Sequence, residues 1–143
     1  LQRCSIVGVL DLCGNAIHDG QALSSVISVM SASLVYVAVS NNPVGVSGFV
    51  SVCRALSQCK NVHYVRVQHM YSDGAAPLSV LCDMLEHSTQ LRWLVVSWNV
   101  FVGSEDDEVR FIDAVKMCTQ LRVLEVYGCG LSENVRSHLT LCS

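Results

Sequence analysis

Eight cysteines, five histidines and twelve carboxylates are the side chains with which this 143-residue chain could do chemistry. Zinc is the first chemistry to weigh, since thiolate and imidazole are its usual ligands and come in closely spaced pairs. The chain has no Cys-x-x-Cys pair, and so no such pair with a matching pair of histidines. A harder cation would want oxygen ligands at alternating loop positions. The acidic run Glu105, Asp106, Asp107 and Glu108 lacks that spacing and reads as a solvated helix start, where carboxylates favour the macrodipole. Acid–base catalysis needs groups within hydrogen-bond reach of one another. His18, His63, His69, His87 and His138 fall at turns, strand flanks and helix ends in different layers, and neither a nucleophile nor a carboxylate recurs beside His63 in its row. The expectation is a protein that is not an enzyme and holds no metal and no cofactor.

The cysteines instead mark a phase. Cys4, Cys59, Cys118 and Cys142 each stand three residues before a recurring apolar phrase, or before the place where the next would begin. That phrase, LxxLxLxxNxL, is written five times at a spacing that grows from 27 to 30 residues. Its first two copies run Val7, Leu10, Leu12, Asn15, Ile17 and Leu34, Val37, Val39, Asn42, Val44. The third has Val62, Val65 and Val67, then Met70 and Ser72; the fourth has Leu91, Leu94, Val96, Asn99 and Phe101; the fifth has Leu121, Leu124, Val126, Cys129 and Leu131. A period of this size implies units of one strand and one helix, each burying its apolar face against its neighbours.

Alternation along a strand sends Leu10 and Leu12 inward and Val9, Asp11 and Cys13 outward. Asn15, Asn42, Asn99 and Cys129 follow their strands and are expected to bond turn backbone that would otherwise be buried without partners. Met70 cannot do this, which predicts a looser third turn. Helical stripes follow: Ala22, Leu23, Val26, Ile27 and Met30; Phe49, Val52, Cys53 and Leu56; Leu78, Leu81, Cys82 and Leu85, with Pro77 in the first turn; then Phe111, Ile112 and Val115. Seven of the eight cysteines thereby acquire a packing role, and Cys13 alone is a candidate exposed thiol. Reduced thiols point to a cytoplasmic protein.

The five phrases resemble the leucine-rich repeat family, with a copy length similar to the ribonuclease-inhibitor-like subclass. The resemblance implies an α/β fold: a right-handed solenoid bent into a horseshoe, with a parallel concave β-sheet, outer α-helices and about five repeats. Residues 1–143 then form a single leucine-rich repeat domain. Leu1 to Cys4 and Leu139 to Cys142 share the form that closes a helix, so both ends fall at a repeat boundary without a polar cap, and an excerpt of a longer array or part of a larger complex is expected.

Composition narrows the function. Hydrophobic residues make up 51% of the chain, more than a disordered segment carries, so a buried core is expected. Nine basic residues are scattered under a net charge of −3, which argues against nucleic acid as partner. Apolar stretches are interrupted well short of the ~20 residues of a membrane span, so no membrane partner is expected.

A protein partner is expected on the concave sheet. Its outward positions form rows across the strands: Val9, Tyr36, Tyr64, Trp93, Val123; then Asp11, Ala38, Arg66, Val95, Glu125; then Cys13, Ser40, Gln68, Ser97, Tyr127; with Gly14, Asn41, His69, Trp98 and Gly128 at the strand exits. Asp11 and Glu125 lie four strands apart, roughly 20 Å, too far to act as paired acids. Aromatics and Arg dominate interface hot spots, so Tyr36, Tyr64, Arg66, Trp93, Trp98 and Tyr127 are the candidate binding residues of a non-catalytic interaction scaffold. Two other functions are open. One is the substrate-receptor arm of a ubiquitin ligase, suggested by the similarity of Cys118, Leu121, Leu124, Val126 and Cys129 to the cysteine-containing repeats of F-box proteins. The other is a structural subunit of a larger assembly, in which cross-strand aromatic pairs only stabilise the sheet.

Overall fold

Each apolar phrase forms a short strand and each stripe a helix, because the apolar spacing switches from two to between three and four residues within every unit. The structure, a computed structural model, describes residues 8–140. Their order is β1 (Val9–Asp11), α1 (Gly20–Val29), β2 (Tyr36–Ala38), α2 (Gly45–Leu56), β3 (Tyr64–Arg66), β4 (Ala76–Pro77), α3 (Leu78–His87), β5 (Trp93–Val95), β6 (Phe101–Val102), α4 (Glu105–Met117), β7 (Val123–Glu125) and α5 (Glu133–Thr140). Five strands form one parallel sheet in the order β1-β2-β3-β5-β7, and β4 pairs with β6 in a second, two-stranded sheet. Val7, Cys4, Cys142 and the two chain-end motifs lie outside the described residues.

The expected horseshoe is corrected to a compact α/β domain of one five-stranded parallel sheet and five helices. Five strands of three residues, ~5 Å apart, span only about 20 Å, too narrow a sheet to curve around a partner. The units are also unequal. The third and fourth add β4 and β6, whose partners are Ala76 with Phe101 and Pro77 with Val102.

The core fills the space between sheet and helices. Val37, Val65 and Leu94 from the strands meet Ile27, Phe49, Leu56, Leu81, Leu85 and Phe111 from the helices, all essentially without exposure. Of the first stripe only Leu23 and Ile27 are buried; Ala22 and Val26 are exposed, because α1 has a helical neighbour, α2, on one side only among the described residues. Pro77 is the N-cap of α3, one position before the expected first turn. The acidic run fills the first turn of α4, where Ser104 and Asp107 form a capping box. Arg110 of α4 binds Asp83 at 2.5 Å and Glu86 at 2.8 Å on α3, tying the two helices on their outer side.

Polar groups behind the strands are satisfied unit by unit. Asn42 donates to Leu12 O and Val39 O, both at 2.8 Å, and its Oδ1 accepts from Asn15 N and Ile17 N. Asn99 repeats this, donating to Val67 O and Val96 O while accepting from Met70 N. Cys129 Sγ reaches Val96 O at 3.4 Å. Asn15 departs from the expectation: among the described residues its amide bonds Cys13 O alone, and it stays exposed. The looser third turn is also corrected. Met70 is fully buried, its carbonyl accepts from Val44 N and Gly45 N, and the neighbouring Tyr71 packs edge-on against Phe49 at 5.1 Å. Apolar contact substitutes there for the missing amide.

Candidate protein-binding face

The helices cover one face of the sheet and leave the other to the outward strand positions. Register pairs Val9 with Tyr36, Tyr36 with Tyr64, Tyr64 with Trp93 and Trp93 with Val123, so the aromatic row is continuous across three strands. Tyr36 and Tyr64 stack with ring centroids 4.4 Å apart and planes 8° from parallel, and Tyr64 meets Trp93 at 5.8 Å and 33°. Such pairs hold one another in place. Burial, and then the neighbouring Tyr64, raise the phenol of Tyr36 above its ordinary value, keeping it neutral. Trp93 closes the strip with 39% of its surface exposed.

Beside the strip runs Asp11, Ala38, Arg66, Val95, Glu125, again in register. Ala38 and Val95 are buried rather than exposed, since short side chains sink between longer neighbours on the same face. Arg66 is half-buried. Its Nε is shielded from solvent and has no hydrogen-bond partner. In the third row Ser40 and Ser97 are buried too, and each hydroxyl accepts a backbone N–H from the next strand's exit, from Gln68 and Tyr127 respectively, both at 3.0 Å.

At the strand exits Gly14, Asn41, His69, Trp98 and Gly128 all adopt a left-handed backbone, with φ between 51° and 66°. For a residue with a side chain this costs of order 1 kcal/mol or more. Trp98 accepts that strain with 61% of its surface exposed, and Tyr127 is 70% exposed. A side chain on Gly128 would overlap the Trp98 indole, which lies directly over this glycine. The six candidate residues therefore divide. Tyr36, Tyr64, Arg66 and Trp93 share one patch, while Trp98 and Tyr127 stand at the strand-exit edge, joined through Trp98 N and Tyr127 O at 2.7 Å.

The remaining chemistry is placed apart. Cys13, Cys53, Cys59, Cys82, Cys118 and Cys129 are free thiols. Burial pushes Cys59, Cys82 and Cys129 up to about 11 and raises Cys13 as well, with help from Asp11; raised thiols are poor nucleophiles at neutral pH. His87 and His138 each donate to a carbonyl one helical turn back. Among the described residues, no three His, Cys, Asp or Glu are grouped to hold a metal ion, and no helix is long and apolar enough to cross a membrane.

No family model and no curated protein matches the sequence. Solved structures do. One, from Caenorhabditis elegans, is described as a tropomodulin C-terminal domain; it covers 98% of this chain and 84% of its own length, with a TM-score of 0.74 and 9% identity. Another is described as leiomodin-1 actin-binding site 2, with a TM-score of 0.72, 12% identity, and coverage of 98% and 80%. These likenesses correct the expected assignment to a ribonuclease-inhibitor-like leucine-rich repeat protein, since neither structure is described as one. At such low identity what is shared is the fold, that of a compact α/β domain.

Proposed function

We propose that this chain is a non-catalytic protein-binding domain whose partner docks on the open face of the five-stranded sheet. The observation that carries the reading is the strip Tyr36, Tyr64, Trp93, stacked across three strands, with Arg66 beside it. Aromatic rings held by their neighbours lose little freedom on binding and offer large apolar area, as hot-spot residues do. Trp98 and Tyr127 extend the surface at the strand exits. Actin is the first partner to test, because a structure with this fold is described as an actin-binding site. A cytoplasmic setting suits both that fold and the free thiols.

The pattern behind the ligase-arm reading has a packing explanation. Cys118 Sγ bonds Leu85 O at 3.2 Å and Cys129 Sγ bonds Val96 O, so both thiols serve the core. The test is binding of the purified chain to monomeric and filamentous actin, and capture of other proteins from native lysate, each with a Tyr64→Ala/Trp93→Ala variant alongside. Partners bound by the native chain and lost in the folded variant support docking on this face. Partners retained by the variant would move the function to the helical layer.

A further inference from the structure

The charges along the middle row of the open face have a pattern: Asp11, Ala38, Arg66, Val95 and Glu125 read negative, neutral, positive, neutral, negative across five adjacent strands. Strand spacing puts Arg66 roughly 10 Å from each acid, beyond direct pairing. Among the described residues both ion pairs belong to Arg110, and Arg66 Nε has no hydrogen-bond partner. That Nε is also withdrawn from water. A planar donor fork on the open side of the sheet, at the strand position between Tyr64 and Gln68 and with its Nε unused, is poised for a ligand.

Resting on the docking reading above, we propose that Arg66 receives a single carboxylate of the partner protein, an Asp or Glu side chain on a segment crossing the strands. The flanking acids set the rest of the partner's chemistry. A polyanion would place its further charges against Asp11 and Glu125, which excludes nucleic acid and polyphosphate and admits one acid with cationic side chains about 10 Å to either side. In a polyproline II segment, with about 3.1 Å per residue and three residues per turn, that distance is roughly three residues on one face, so the complementary pattern is Lys-x-x-Glu-x-x-Lys. The glutamate would use the Nη pair, and the apolar stems and intervening residues would rest on Tyr36, Tyr64 and Trp93. Arg92 and Arg122 lie just before β5 and β7, at the strand-entry edge and outside this row.

The experiment titrates the full chain with a synthetic Lys-x-x-Glu-x-x-Lys peptide and with its Gln counterpart at low ionic strength, following the Arg66 side-chain N–H and the Tyr64 and Trp93 ring signals by NMR. The Glu peptide is expected to shift the Arg66 signal and to bind at least tenfold more tightly than the Gln peptide. Arg66→Gln should abolish that preference, and Arg66→Lys, which keeps the charge but not the fork, should reduce it, with both variants melting like the native chain. Equal binding of the two peptides with shifts confined to the rings would overturn the carboxylate inference and leave the docking face standing. Silence at Arg66 and the rings alike would overturn the inference and remove support from the face as well. Tighter binding of inorganic phosphate than of the Glu peptide would also overturn it.

Discussion

Gly20 and Gly48 bring the backbones of α1 and α2 into contact: a methyl group on Gly20 would overlap Gly48 Cα, and one on Gly48 would press on Val44 Cβ at 2.8 Å. In an isolated helix, Gly to Ala stabilises by up to about 1 kcal/mol. Here the sign reverses, because backbone and a packed Val cannot move aside. Gly48→Ala is expected to destabilise the fold by about 1–3 kcal/mol, read from the shift of the urea midpoint; a stabilised variant would mean that the two helices can part without loss.

Trp93 and Leu94 are neighbours in sequence on opposite faces of β5, and they separate binding from folding. Trp93→Ala should lower partner affinity by on the order of 2 kcal/mol and leave the thermal midpoint nearly unchanged. Leu94 is wholly buried, so Leu94→Ala should cost ~2–5 kcal/mol of stability. Calorimetry of both variants checks the pair.

Asn42 and Asn15 occupy the same place in adjacent units but differ in what they hold. Asn42→Ala removes donors to Leu12 O and Val39 O and the acceptor for two amides, and should cost on the order of 3 kcal/mol, since several groups lose a partner in the interior. Asn15→Ala loses one exposed local bond and should stay within about 0.5 kcal/mol. Restoring the pattern with Met70→Asn should destabilise, because that slot is filled and apolar.

The raised thiols predict how stability varies in alkali. Cys59, Cys82 and Cys129 ionise near 9 in the unfolded chain and near 11 when folded. Between those values the unfolded state has already released protons that the folded state keeps, so stability present below pH 9 declines as pH rises toward 11. Urea midpoints at pH 8, 9 and 10 should fall in that order. A thiol reagent at pH 8 should modify Cys13 before any of these three.

Periodicity made the registers legible. The rows beginning with Val9 and with Asp11 pair strand to strand as the spacing implies, because a one-residue slip would have turned Leu94 and its counterparts out of the core. The helical stripes were legible for the same reason, except in α1, where exposure of Ala22 and Val26 depends on having one helical neighbour rather than two among the described residues, a matter of packing and not of local pattern. The β4–β6 pair involves two residues on each side, too few to leave a periodic signal. Ser40 and Ser97 looked like surface serines, and only the approach of the next strand reveals them as acceptors. The family assignment went astray because the skeleton reports how units pack, while the overall likeness lies in the whole domain. Of the candidate site, the stacking of Tyr36, Tyr64 and Trp93 followed from register; the unused Nε of Arg66 did not, since it depends on which side chains fail to reach it.

Met70 has a thermal consequence. Between the first and second units, and again between the third and fourth, an asparagine amide spans the boundary; between the second and third the boundary is closed by Met70, Tyr71 and Phe49. Amide bonds hold nearly as well in the cold, whereas apolar adhesion weakens on cooling. The boundary between β2 and β3 is thus the one that chilling loosens first, and the amides of Val44 and Gly45, which close it onto Met70 O, are where proton exchange should quicken near freezing while the Asn42 and Asn99 junctions stay shut.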